Sequence, residues 1–158
     1  HIHTEIHRRR PDARVVVHNH PYYVSLIAAL GELPDLVHQT GALFLDDMYL
    51  VEKYDGEIDT PWRAAELAEQ IGAANVVILA NHGVITMGED LAAAIYRAAS
   101  VDRVCRLAYD VMLTGRTPSA MNRGDLVGMQ ASLIERAADV YWAGAARLTI
   151  KADRGVLD

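Results

Sequence analysis

Two unbroken apolar runs, Val15-Val16-Val17 and Val76-Val77-Ile78-Leu79-Ala80, constrain this chain more than any other feature. Neither run alternates apolar and polar residues, and turn-forming residues follow both, so each predicts a strand covered on its two faces. The first strand, read from Arg14 to Asn19, is therefore expected in a central position of a sheet. Both runs end at histidine: His18-Asn19-His20 before Pro21, and Asn81-His82-Gly83. In a strand, side chains at i and i+2 share a face with Cα atoms about 6.5 Å apart. His18 and His20 can therefore converge on one ion about 2.0–2.1 Å from each nitrogen. With His82 they form a set of three neutral imidazoles that leaves a coordination position open, and open positions are where metal catalysis occurs. Taken singly, each histidine reads as a hydrogen-bonded or surface residue rather than a ligand. Their shared placement at strand ends, in turns, is what sets these three apart.

Strands interleaved with helical periodicity predict a three-layer α/β/α sandwich, one domain over 1–158. A helix over 1–10 stops at Pro11, and another over Tyr22 to Leu30 stops at Gly31. Pro34 to Gln39 reads as a short helical turn. Leu43 to Val51 reads as one or two short strands broken by Asp46-Asp47, with Asp55-Gly56 as a turn. Thr60-Pro61 places a capping residue before a proline, which predicts a helix from Pro61 to Ile71 closed by Gly72. Val84 to Met87 forms a third strand, and the tight Asn81-His82-Gly83 connection makes it antiparallel to its predecessor, so the sheet is mixed and largely antiparallel. Long helices follow from Leu91 to Thr114, closed by Gly115, and from Asp125 to Ala145, with a polar tail after Lys151.

The charge of −6 and the absence of a basic stretch longer than Arg8-Arg9-Arg10 exclude a nucleic-acid groove, and these arginines are expected at a solvated helix end. There is no signal-peptide pattern and no apolar stretch approaching the 18 or so residues of a membrane span. The single cysteine, Cys105, lies in a helical pattern as a buried small hydrophobe, which fits a reducing, cytoplasmic setting. The chain opens on His1 rather than methionine, already inside a helical pattern, and is read as a fragment lacking an N-terminal part.

The segment Arg10-Pro11-Asp12-Ala13 through Val17-His18-Asn19-His20-Pro21, with Leu79-Ala80-Asn81-His82-Gly83-Val84-Ile85 and the long helix after it, resembles the class II aldolase/adducin family. The resemblance implies that His18, His20 and His82 are the protein ligands of Zn2+, or of Mn2+, Co2+ or Fe2+. It places the family's acid/base carboxylate immediately before His1, outside this chain. Glu5, a full turn into the helix, is expected to face solvent and not to substitute for it. His38 falls where family members approach the neighbouring subunit's pocket, as a catalytic group that moves protons or binds a carboxylate; a plain helix-end histidine is the other reading. Asn81 and Tyr22 are candidate substrate-binding residues, with turn chemistry and core packing as their ordinary alternatives. Tyr141 and Trp142 are candidate interface or pocket residues in a homotetramer with inter-subunit active sites.

The implied activity is metal-dependent C–C cleavage of aldolase type in a small hydroxy-carbonyl or sugar-phosphate-like substrate, through an enediolate stabilised where negative charge develops. Decarboxylation of a hydroxylated, aromatic acid generates the same kind of anion and is the alternative, as is pentose-phosphate 4-epimerisation. A non-catalytic adducin-like module, which resembles the fold but lacks the histidines, fits least.

Overall fold

The computed structural model describes residues 1–53 and 58–157. Along the chain run α1 (Ile2–Arg9), β1 (Val15–Asn19), α2 (Tyr22–Leu30), a 3-10 helix (Gln39–Phe44), β2 (Met48–Val51), α3 (Pro61–Gln70), β3 (Val76–Leu79), β4 (Gly83–Gly88), α4 (Leu91–Leu113), α5 (Arg123–Ala152) and a closing 3-10 turn (Arg154–Leu157). The strands lie in the order β1-β4-β3-β2. β4 is antiparallel to both β1 and β3, while β2 is parallel to β3, so the sheet is mixed and mostly antiparallel. Helices cover both faces. Ile6 of α1 with Leu67 and Ile71 at α3 pack on Val77, Leu79, Ile85 and Met87. Val24 and Ile27 of α2 with Val101, Val104 and Cys105 of α4 pack on Val76, Ile78 and Val84. α5 lies outside this second layer, joined to the 3-10 helix through Leu126 and Ala42. Among the described residues, no helix is long and apolar enough to cross a membrane.

Several expectations are corrected. Among the described residues β1 pairs only with β4, at the edge of the sheet, and its five residues are half-buried. The valine run reflects helices above and below the strand, which does not require a neighbour on each side. Glu5 is 5% exposed, not solvent-facing, and its carboxylate accepts from the Arg8 guanidinium, a turn away on α1. The arginine triplet is not uniformly solvated either. Arg10 is turned inward to donate to the carbonyls of Gly72 (2.9 Å) and Ala74 (3.0 Å) and to Asn75 Oδ1 (3.0 Å), with Asp12 at 2.6 Å.

Helical structure after Pro34 begins only at Gln39, where the His38 ring accepts from the Thr40 amide and starts the 3-10 helix. The stretch to Val51 then holds a single strand, reached through Asp46 at φ +55°. Asp55-Gly56 lies outside the described residues. Thr60 precedes α3 without a capping hydrogen bond from its side chain, so the start of α3 owes more to Pro61, whose ring presets the helical φ. α5 runs past Ala145 to Ala152.

Candidate metal centre

β1 carries His18, His20 follows directly after its last residue, and the register fixes which way His18 faces. His18 is opposite Ile85 and Val16 is opposite Met87, so His18 stands on the α1/α3 side of the sheet. The facing turn is built from Leu79 to Gly83. His82 N–H donates to the Leu79 carbonyl (3.0 Å), and Asn81 adopts φ +57°, a left-handed conformation that asparagine tolerates better than most residues. Asn81 N–H also donates to the Ala28 carbonyl (2.9 Å), anchoring the turn to the end of α2. Gly83 completes it. A Cβ there would stand 2.4 Å from His20 Cδ2 and 2.6 Å from the Asn19 carbonyl oxygen, so only glycine lets the His20 ring close over this turn.

The result is convergence of the three imidazoles. Nε2 of His18 lies 3.2 Å from Nε2 of His82 and 3.2 Å from Nε2 of His20. The rings meet edge to face at 65–82°, each aiming a nitrogen at a common point instead of stacking. A tetrahedral ion with bonds of about 2.0–2.1 Å needs donors about 3.3 Å apart, close to the 3.2 Å that separates His18 from each of the other two. The tautomer fits as well. Nδ1–H of His18 donates to the Val84 carbonyl (3.2 Å), which leaves its Nε2 with a free lone pair directed into the cluster. Burial, then the nearness of His82 and His20, holds the His18 imidazole below its ordinary pKa; burial and His20 do the same for His82. Neutral imidazoles are the form that binds metal. Among the described residues this donor group consists of imidazoles alone.

The remaining sequence candidates are dispersed. Tyr22 is 71% exposed at the first residue of α2, two positions past His20, with its ring edge-on to Tyr23. Tyr23 packs into the core, the ordinary outcome for a helix aromatic. His38 and Tyr141 line a different cavity, on the α4 side of the sheet. Asp102 of α4, which carried no signal in the sequence, accepts from the amides of Tyr23 (3.1 Å) and Val24 (3.3 Å) and so caps α2 from a distant part of the chain.

A model of the class II aldolase and adducin N-terminal domain matches residues 1–109, more than half of the sequence. The chain belongs to the class II aldolase and adducin family. Among similar members, a Streptomyces roseochromogenus protein named 4-hydroxy-3-prenylphenylpyruvate oxygenase/4-hydroxy-3-prenylbenzoate synthase is 34% identical over 107 residues, 67% of this chain and 38% of that protein. An L-fuculose phosphate aldolase of Methanococcus vannielii is 31% identical over 114 residues, 70% of this chain and 59% of that one. The class II aldolase fold recurs in the crystal structure of an aldolase II superfamily protein from Pseudomonas syringae, with TM-score 0.80 and 22% identity over 96% of this chain and 62% of that chain. This class II aldolase and adducin domain thus spans less than two thirds of the length of each relative named.

Proposed function

We propose that His18, His20 and His82 hold one divalent cation, zinc or another of similar ligand preference such as Mn2+, Co2+ or Fe2+, and that the protein is a metal-dependent carbon–carbon lyase of aldolase type. The observation that carries this is the convergence of three ring nitrogens, with Nε2 of His18 3.2 Å from Nε2 of both His82 and His20 and all three donor atoms within 4.8 Å of one another. When bound, such an ion supplies Lewis acidity where negative charge develops as a C–C bond breaks. The chain's own residues do the positioning. The Val84 carbonyl fixes the His18 ring, Gly83 admits His20, and the Asn81 turn sets the height of His82. Asn81, next to His82, and Tyr22, two positions past His20 and 71% exposed, are the candidates for binding a small hydroxy-carbonyl substrate. His38 belongs to this reading only as a group presented to the site of an adjacent copy, in a homotetramer with inter-subunit active sites. Exposed apolar side chains on α5, among them Val140 and Leu148, support such an assembly. Decarboxylation of a hydroxylated aromatic acid is the second reading, favoured by similarity to the Streptomyces synthase and to the protein named decarboxylase NovR of Streptomyces niveus.

Elemental analysis tests the central claim. The wild type is expected to retain about one divalent ion per subunit after mild dialysis, and the His18→Ala, His20→Ala double variant to lose it with its circular dichroism unchanged. A metal-free wild type would overturn the proposal.

A further inference from the structure

On the opposite side of the sheet from the three histidines, the 3-10 helix, α4 and α5 enclose a half-open cavity of about 350 Å³. Its walls carry His38, Tyr96, Ser100, Arg103 and Tyr141 and, among the described residues, no carboxylate. That is notable in a chain of net charge −6. Arg103 has no carboxylate partner among the described residues. Ser100, 6% exposed, lies on the floor. His38 Nδ1 accepts a hydrogen bond from the Thr40 amide, so in the neutral ring Nε2 carries the hydrogen and is a donor. Tyr96 and Tyr141 form a tilted pair with centroids 5.4 Å apart, adding two hydroxyls on rigid apolar rings.

We propose that this cavity binds a small molecule through a carboxylate or phosphate group, gripped by the Arg103 guanidinium and completed by the hydroxyl and imidazole donors around it. A planar guanidinium presents paired N–H groups that match two oxyanion oxygens, and Arg103 is exposed, so a ligand reaches it directly from solvent. The lining is more polar than apolar, which suits a small charged ligand. None of the three clustered histidines of the same chain lines it, so binding here is separable by mutation from metal binding by those histidines.

Calorimetric titration with inorganic phosphate, and separately with sodium benzoate, tests the assignment. At least one anion should bind the wild type saturably at one site per chain, and the stronger of the two identifies the oxyanion class. Arg103→Gln should weaken that binding at least tenfold and Arg103→Lys by less, because the charge remains while the fork is lost. His20→Ala should leave it unchanged. Absence of binding by either anion, wild-type affinity in Arg103→Gln, or loss of binding in His20→Ala would each overturn the proposal. Should Arg103→Gln fail to fold, NMR shift changes on titrating the wild type decide: changes at His38, Ser100 and Tyr141 support the cavity, and changes confined to residues 18–20 and 82 refute it.

Discussion

Gly83 illustrates how much of the candidate site depends on single atoms. Adding one methyl group there would place Cβ 2.4 Å from the His20 ring and 2.6 Å from the Asn19 carbonyl oxygen, so the strand end and the turn must separate. Gly83→Ala is therefore expected to lower metal affinity at least tenfold, about 1.4 kcal/mol, while the core persists; competition with a chromophoric chelator measures it. The pairing of His18 with His20 was legible in the sequence because a strand repeats every second residue. Gly83 was legible only as a turn-former, since its contact with His20 depends on how closely two chain segments approach. Glu5 was misread for a related reason: spacing places it on a flank of α1, and whether that flank is wet is decided by the elements packed around it. Cys105 was read correctly as a buried hydrophobe, and burial, with Asp102 nearby, pushes its thiol up to about 12. A raised folded-state pKa contributes stability that is intact below the ordinary thiol range and is lost as pH climbs toward 12. Denaturant midpoints of the wild type should therefore fall more steeply above about pH 9 than those of Cys105→Ala.

Helices and strands with a strong apolar period were legible as elements, and their neighbours were not. The helices at Tyr22–Leu30, Pro61–Gln70 and Leu91–Leu113 follow from periodicity and from the glycines that stop them or lie just beyond. The six-residue 3-10 helix is too short to show a period, and the edge position of β1 depends on the order in which strands assemble. Arg10 is the element-scale counterpart of this limit. Its sequence context shows a basic helix end, whereas its guanidinium ties the end of α1 to the loop between α3 and β3 through Gly72, Ala74 and Asn75. Arg10→Ala should cost about 2 kcal/mol of folding stability, because two loop carbonyls and an amide oxygen lose a charged donor together. Urea denaturation reads that loss, and metal content at saturation should not change.

Across the whole molecule, the three-layer arrangement puts the histidine cluster on one side of the sheet and the Arg103 cavity on the other. The layer count was foreseeable from alternating strands and helices, whereas a cavity assembled from the 3-10 helix, α4 and α5 has no contiguous signature in the chain. Exposed Val140, Trp142 and Leu148 on α5 form the surface on which assembly would depend. Multi-angle light scattering of the purified chain is expected to report about four times the subunit mass, and a monomer would count against inter-subunit sites. The antiparallel pairing that sets His18 opposite Ile85 carries one more consequence. If those two strands zipped together one position out of step, His18 would swing to the reverse side and Val17 would take its place. Retention of a cation would then act as a proofreading signal, distinguishing correctly zipped molecules from compact but misaligned ones that spectroscopy of helix content alone would pass as native.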